Sequence, residues 1–244
     1  MHRWRGSSAA AEVPLGGNVT AGLVRVGATV RRPAGPWTPA VHALLVHLRE
    51  VGFEGAPRSL GLDERGRHVV EWIDGTVTHP YRPGPSLVDV GRLARRLHEA
   101  TAGFVPPVDA VWGTVIRPDG DDLVVHHDLS SWNLVHGCGR VAWIDWDTAG
   151  PGTRLWDLAW AAISFADLVP AGVRDLADGY GLPEGERRDL VDLIPRRAHG
   201  MVDLLRTGGE PWSRLAAEGH LVTWETIAAR ARAARPALLA ALLA

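Results

Sequence analysis

Hydrophobic and polar residues alternate in the first part of the chain in the way typical of half-buried β-strands. Apolar residues alternate with other residues in segments 22–27 and 28–32, which predicts a β-hairpin, and an apolar run at 68–73 predicts another strand. Between them the apolar spacing becomes helical, which predicts a helix with Thr38 as its N-cap and Pro39 at its first position, ending at Gly52. This part of the chain is therefore predicted to form a small β-rich region with one helix.

The rest of the chain is predicted to be mainly helical. Ser86 and Asp89 have the spacing of a capping box, and a stripe of apolar residues follows them. Two short strands are expected farther on, at 122–125 and 141–144, and segment 134–136 is a candidate for a third. After Thr153 the pattern is helical to the end, and Pro195 and Pro236 are expected to kink or break helices. The coarse prediction is a small α+β lobe followed by a larger helical lobe.

Length and composition are those of an ordinary globular protein. The chain has 244 residues, 46% of them apolar and 22% charged, so we expect one domain or two closely packed lobes rather than disorder. Its single cysteine, Cys138, excludes a disulfide framework and fits a reducing cytosol. No apolar run is long enough to cross a membrane, and a net charge of −2 with scattered arginines does not favour nucleic acid. We expect a cytoplasmic monomer or homodimer without membrane or nucleic-acid partners.

The absence of lysine restricts the possible chemistry. All 26 lysine-or-arginine positions are arginine, which excludes Schiff-base catalysis by lysine and a Walker-type phosphate loop. Any cationic role must therefore be taken by arginine, whose planar guanidinium suits phosphate oxygens.

The candidate chemistry lies in segments 124–133 and 143–147. Asp128 and Asn133 occupy a loop between two predicted strands, and Asp145 ends a third strand. A tight hairpin between the last two strands places Asn133 and Asp145 at the same end of a small sheet. Amide and carboxylate oxygens are ligands that Mg²⁺ prefers, and a carboxylate base beside such a site is the layout that phosphoryl transfer needs.

This motif, His-x-Asp-x-x-x-x-Asn followed by Ile-Asp, resembles the catalytic core of the aminoglycoside phosphotransferase family, which is similar in turn to protein kinases. The likeness extends over residues 14–165 and includes four further segments, at 71–75, 93–98, 150–152 and 156–160. It implies an α+β, bilobal protein-kinase-like fold with a small β-rich N-lobe and a larger, mainly helical C-lobe. We place the nucleotide-binding lobe at 1–73 and the catalytic and substrate-binding lobe at 74–244.

The resemblance implies a role for each residue of the motif. Asp128 would act as the base for the substrate hydroxyl, and Asn133 and Asp145 would hold Mg²⁺ at the nucleotide phosphates. His126 would fix the catalytic loop, and Asp157 would bond to backbone groups of that loop from the start of a helix.

The nucleotide site is implied in the same way. The backbone near Glu71 and Ile73 would grip the adenine, and Gly16, Gly17 and Asn18 would cover the phosphates of ATP or GTP.

The family's basic residue on the third strand must be an arginine here, either Arg31 or Arg32. Strand alternation favours Arg32. The helix expected to supply its acidic partner has no carboxylate before Glu50, so the phosphate itself or another acid must position the arginine.

Several alternatives stay open. Asp128 and Asn133 are also common turn residues, although Asp145 and the flanking strands in register favour the catalytic interpretation. Asp147 is either an acid that supports the site or a solvated charge. The preferred function is phosphoryl transfer from ATP or GTP to a small-molecule hydroxyl, on an aminoglycoside-like antibiotic or a metabolite. A weak or inactive nucleotide-binding module on the same fold is the alternative.

The acceptor is not predicted by the sequence. A pocket for polycationic aminoglycosides should be strongly acidic, but the carboxylates of the C-terminal helices are interleaved with arginines. Trp212 and Trp224 in these helices are candidates for the substrate wall.

Overall fold

The first sheet of the protein is antiparallel and has five strands. The computed structural model describes residues 1, 3–4, 10–16, 21–78 and 84–244. The strands are β1 (Val13–Pro14), β2 (Val24–Val26), β3 (Thr29–Arg32), β4 (Ser59–Leu62) and β5 (His68–Glu71). Their order in the sheet is β1-β2-β3-β5-β4. The predicted hairpin is β2–β3, joined by a turn at Gly27, where φ is +58°.

Helix α1 (Thr38–Glu50) connects β3 to β4. Its apolar side, including Val41, Leu44 and Leu48, is buried in the main core. Pro39 lies in its first turn as predicted, but the N-cap is Trp37 rather than Thr38. The difference arises because the Thr38 hydroxyl accepts a hydrogen bond from the backbone of Gly35 instead of capping the helix.

Short strands surround the segment that contains Asp128 in the remainder of the chain. They are β6 (Thr76–Val77), β7 (Leu123–Val125), β8 (Leu134–Gly137), β9 (Arg140–Trp143) and β10 (Gly150–Gly152). Strands β6, β8 and β9 form one antiparallel sheet, and β7 pairs with β10. A 3₁₀ turn at Ser131–Asn133 precedes β8, and another at Trp146–Thr148 follows β9.

The helices of this region build most of the core. They are α2 (Leu87–Thr101), α3 (Arg154–Ser164), α4 (Pro170–Tyr180), α5 (Glu184–Thr207), α6 (Trp212–Leu215) and α7 (Leu221–Leu242), with a π-helical turn at Ala216–His220. Ser86 caps α2 as predicted, since its hydroxyl accepts a hydrogen bond from the Asp89 amide at 3.1 Å. Pro195 and Pro236 lie inside α5 and α7, and neither proline breaks its helix.

Helices α2 and α4 approach each other closely through two glycines. A β-carbon at Gly91 of α2 would collide with the backbone of Leu176 and Tyr180, and one at Gly179 of α4 would collide with the backbone of Val88. Glycine, which has no side chain, therefore allows the two helix backbones to come this close. Helix α2 also carries His98 into the buried interior.

Taken in order, a β-rich part with one helix is followed by a mainly helical part, which is the predicted α+β architecture. The boundary between lobes at residues 73 and 74 stays a prediction. Among the described helices, none is both long enough and apolar enough to span a bilayer.

Candidate active site

Asp157 anchors the loop that follows β7. It lies in the first turns of α3, whose N-cap Thr153 accepts a hydrogen bond from the backbone of Trp156. The Asp157 carboxylate is fully buried and accepts hydrogen bonds from the backbone amides of His126 (3.0 Å) and His127 (2.8 Å). This is the contact with the loop backbone that the family resemblance implied.

The third partner of Asp157 is His98 of α2, whose Nε2 lies 3.2 Å from Oδ2. Burial opposes ionisation, but the His98 hydrogen bond and the neighbouring imidazoles outweigh it and hold the pKa of Asp157 below its ordinary value. A charged carboxylate therefore fixes the start of the loop. His126 extends the same framework, because its Nε2 lies 3.1 Å from the carbonyl oxygen of Ile144.

Three donors orient the carboxylate of Asp128. Ser130 Oγ donates to Oδ1 at 2.6 Å, Trp160 Nε1 donates to the same oxygen at 2.6 Å, and Asn133 Nδ2 donates to Oδ2 at 2.8 Å. Burial raises the pKa of the Asp128 carboxyl above its ordinary value. A fixed carboxylate with a raised pKa is suited to accept a proton.

The hairpin of β8 and β9 brings Asn133 and Asp145 to the same end of its sheet, as predicted. Leu134 pairs with Trp143 at this end, and the amide of Ile144 donates to the carbonyl oxygen of Asn133 at 2.8 Å. Asp145 follows directly in a left-handed conformation, with φ of +63°, and its side chain is 47% exposed. The turn aims an accessible carboxylate out of the end of the strand.

Arg32 joins the first sheet to this end of the hairpin. Its Nη2 donates to Asp145 Oδ1 at 2.6 Å and to Asp147 Oδ2 at 2.5 Å. Burial acts against the charge of Arg32, but the two carboxylates outweigh it and raise the pKa of the guanidinium. Asp147 thus serves as an acidic partner of Arg32, which α1 does not supply.

Arg31 points away from the site. Its guanidinium lies 4.2 Å from the ring centre of Trp4, and its Nε is 3.6 Å from Asp63. Strand alternation therefore places Arg32, and not Arg31, against Asp145.

The side-chain oxygens of Asn133 and Asp145 are suitable ligands for a magnesium ion. Because the Asn133 amide nitrogen donates to Asp128, its oxygen is the atom that would ligate a cation, together with the carboxylate of Asp145. In the described part of the chain, no cluster of three or more His, Cys, Asp or Glu side chains is arranged to hold a metal ion. An ion held by Asn133 and Asp145 would thus complete its shell with water and nucleotide phosphate, as Mg²⁺ usually does.

The proposed nucleotide-binding residues are described only in part. Gly16 is exposed, and Gly17 and Asn18 lie outside the described residues. Glu71 ends β5, where its amide donates to the carbonyl of Arg58 at 2.9 Å and its carboxylate accepts from Arg140 at 3.1 Å. Ile73 is buried two residues farther along. The Glu71 amide is therefore already used within the fold.

Several residues at the site, including Ser130, were not predicted from the sequence. Trp160 donates to Asp128, and Arg197 of α5 donates from Nη2 to the carbonyl oxygen of His127 at 2.9 Å. Trp160 also stacks on Trp224 of α7, with ring centres 4.9 Å apart. Trp224 is only 8% exposed, so in this structure it packs behind the site.

Many carboxylates of the C-terminal helices are paired with arginines. These ion pairs are Arg154–Glu186, Arg187–Asp178, Arg206–Glu225, Arg214–Glu218, Arg230–Asp167 and Arg235–Asp192. Much of the acidic charge of these helices is therefore compensated within the protein.

Comparison with known proteins relates this geometry to phosphotransferases. The phosphotransferase enzyme family (APH) matches residues 107–191. The trifolitoxin immunity protein of Rhizobium leguminosarum bv. trifolii is 34% identical over 243 residues, which cover 88% of this chain and 92% of that protein.

Solved structures show the same fold at lower identity. A choline/ethanolamine kinase family protein from Mesorhizobium loti superposes with a TM-score of 0.66 at 18% identity, covering 97% of this chain and 93% of that one. A spectinomycin phosphotransferase bound to ADP and spectinomycin gives 0.60 at 12% identity, covering 91% and 93%. An amicoumacin kinase gives 0.60 at 14% identity, covering 90% and 88%. The bilobal kinase-like fold predicted from the sequence is thereby confirmed.

Proposed function

This chain belongs to the phosphotransferase enzyme family, and we propose that it transfers the γ-phosphoryl group of ATP or GTP to a hydroxyl group of a small molecule. The observation that carries the proposal is the position of Asp128. Asp128 lies in the same loop as Asn133, beside the end of the hairpin that presents Asp145. Three hydrogen-bond donors hold its carboxylate. That arrangement combines a proton acceptor with oxygen ligands for a cation.

In the proposed reaction, Asp128 orients the acceptor hydroxyl and receives its proton. The hydroxyl oxygen forms a bond to the γ-phosphorus, while the bond from that phosphorus to the β–γ bridging oxygen breaks and the nucleoside diphosphate leaves. Ser130 and Trp160 keep Oδ1 of Asp128 in place during this step. We expect this positioning and proton transfer to contribute about 10²- to 10⁴-fold to the rate.

Asn133 and Asp145 would hold Mg²⁺, which supplies neutralisation of the phosphate charge when it is bound. Arg32 supplies a second positive charge at the same end of the hairpin, and its guanidinium suits phosphate oxygens. Its guanidinium contacts Asp145 and Asp147. We propose that nucleotide phosphate takes over part of these contacts.

The acceptor is proposed from the relatives and from charge. A relative is an immunity protein, and two structures of the same fold are kinases of spectinomycin and amicoumacin, which supports an antibiotic or a similar small molecule as acceptor and a role in resistance. Because many acidic groups of the C-terminal helices are already paired with arginines, acceptors of low positive charge are favoured over polycations.

One observation favours the second candidate, a binding module without turnover. Arg32 forms an ion pair with Asp145, and the carboxylate of Asp145 is the one that would ligate the cation. An ion pair that persisted with nucleotide present would leave the protein able to bind nucleotide but unable to transfer phosphate.

A coupled assay of nucleoside diphosphate release separates the two candidates. The purified protein is tested with Mg-ATP and Mg-GTP against amino-sugars, macrolides, peptides and simple alcohols, with Asp128→Ala as the control. Acceptor-dependent release that disappears in Asp128→Ala and a phosphorylated acceptor in mass spectrometry are expected. A thermal shift with Mg-ATP but no turnover on any acceptor would favour the binding module.

A further inference from the structure

Arg197 is a buried cation at the centre of the C-terminal helices. Its side chain is 3% exposed. Among the residues that the structure describes, it forms no ion pair, and its Nε and Nη1 have no hydrogen-bond partner. Burying a charge without such partners is costly, and a methionine would fill a similar space without that cost. Packing alone is therefore a poor explanation for an arginine at this position.

The contacts that Arg197 does make lead to Asp128 by two routes. Nη2 donates to the carbonyl oxygen of His127, whose peptide bond connects it to Asp128. His127 is in a left-handed conformation, with φ of +66°, which a non-glycine residue rarely adopts without support. The hydrogen bond from Arg197 thus holds a strained peptide immediately before the proposed base.

The second route runs through Trp160. The Arg197 guanidinium carbon lies 4.0 Å from the ring centre of Trp160, and it lies 4.8 Å from that of Trp156. These distances are those of cation–π contacts, which compensate part of the buried charge. The Trp160 indole then donates to Asp128 Oδ1 at 2.6 Å. Stacking on Trp224, at an interplanar angle of 9°, further restricts the Trp160 ring.

We infer that Arg197 is a positioning residue, which holds Asp128 in the place where it receives the acceptor proton by bonding to His127 and by fixing the Trp160 indole. The inference rests on the proposed function. A guanidinium suits this task because it donates in its plane while its face lies on an aromatic ring, and a lysine ammonium cannot do both in the same geometry.

The test compares Arg197→Met and Arg197→Lys with a matched control, Arg187→Met. Arg187 lies on the same helix, donates to the carbonyls of Leu182 and Leu242, and pairs with Asp178. None of these partners bonds to Asp128, so the loss of Arg187 affects the joining of the helices rather than the position of Asp128. For each variant, kcat and KM are measured with the small molecule that the diphosphate-release assay identifies as acceptor. Mg-ATP affinity is measured by calorimetry, and folding is checked by thermal unfolding.

We expect Arg197→Met to lower kcat about 100-fold with KM for ATP within threefold, because a displacement of the base by about 1 Å costs that much. Arg197→Lys should lose about tenfold, and Arg187→Met should keep kcat within threefold while its melting temperature falls. A folded Arg197→Met protein with kcat within threefold of the wild-type value would overturn the inference.

A second measurement does not depend on turnover. In protein labelled with ¹⁵N-tryptophan, the Trp160 indole resonance is assigned with Trp160→Phe and identified as bonded to Asp128 by its shift in Asp128→Asn. Both Arg197 variants should shift the same resonance, and Arg187→Met should leave it in place. If Arg197→Met does not fold, a folded Arg197→Lys with unchanged kcat and an unshifted Trp160 resonance overturns the inference. Absence of acceptor-dependent turnover in the wild-type protein would instead overturn the proposed function.

Discussion

Two buried arginines flank the candidate site, and they are stabilised in opposite ways. Arg32 comes from the first sheet and bonds to two carboxylates, Asp145 and Asp147. Arg197 comes from a C-terminal helix and contacts indole rings and one backbone carbonyl. Burial lowers the pKa of Arg197 to about 10, whereas the two carboxylates raise the pKa of Arg32. Both guanidinium groups are therefore charged at neutral pH.

The difference indicates a division of work. An arginine held by carboxylates can exchange them for the oxygens of another anion, so Arg32 is suited to a site that takes up phosphate. An arginine held by rings and a carbonyl has no anion to exchange, so Arg197 is suited to a permanent framework. We therefore expect changes on the Arg32 side to alter nucleotide binding, and changes on the Asp128 side to alter the chemical step.

The largest expected effect tests this division directly. Asp128→Ala should lower kcat by about 10²- to 10⁴-fold, because no carboxylate remains to receive the proton of the substrate hydroxyl. Mg-ATP affinity in calorimetry should stay within about threefold, since no phosphate contact is removed. An equal loss of kcat and of nucleotide affinity would show that the two sides are not separate.

The next effect concerns Arg32→Met. Losing a charge-assisted contact to phosphate should weaken Mg-ATP binding about 10- to 100-fold, with a smaller change in kcat at saturating nucleotide. Calorimetry and saturation kinetics give both quantities, and Arg31→Met is the control because Arg31 points toward Trp4 and Asp63. Unchanged affinity in Arg32→Met would remove Arg32 from the nucleotide site.

Asp147→Asn should have a smaller effect and sharpen the comparison. It removes one of the two charges that compensate Arg32 but leaves Asp145 in place. We expect the free energy of unfolding to fall by about 1–3 kcal/mol, measured by denaturant titration without nucleotide. Added Mg-ATP should restore part of this loss if phosphate replaces the carboxylate. A variant as stable as the wild type would show that Asp145 alone is a sufficient partner.

The smallest effect is a dependence of stability on pH near Arg32. Burial first, and then the charge of Arg32, lower the pKa of His68 to about 3, from an ordinary value of 6.5. Between these values the unfolded chain binds a proton at this site and the folded protein does not, so stability falls as the pH drops through this range. His68→Gln should reduce the slope of melting temperature against pH, and Arg32→Met should raise the His68 pKa in NMR titration. An unchanged His68 pKa in Arg32→Met would show that the charge of Arg32 does not affect His68.

The sequence predicted the parts of the site that depend on local order. Asp128, Asn133 and Asp145 lie within a loop and a tight hairpin, so their spacing in the chain largely determines their spacing in the fold. Strand alternation was also enough to favour Arg32 over Arg31.

Residues that meet only through tertiary packing were not predictable in this way. The sequence left open whether Asp147 is an acid that supports the site or a solvated charge, because its contact with Arg32 depends on how two sheets are placed across 115 residues. Arg197 lies 70 residues from His127, inside a helix whose pattern gives no sign of a buried charge. Pro195, two positions earlier, predicted a disturbed helix, yet α5 continues through it.

The glycine contact between α2 and α4 extends the sensitive region well beyond the cleft. Gly91 lies two turns before His98 on α2, and His98 bonds to Asp157, which holds the backbone at the start of the loop that contains Asp128. A methyl group added at Gly91 would collide with the backbone of Leu176 and Tyr180, so α2 and α4 could not keep their present distance. We therefore expect the proposed activity to be sensitive to a single alanine at Gly91, through the helix that carries His98.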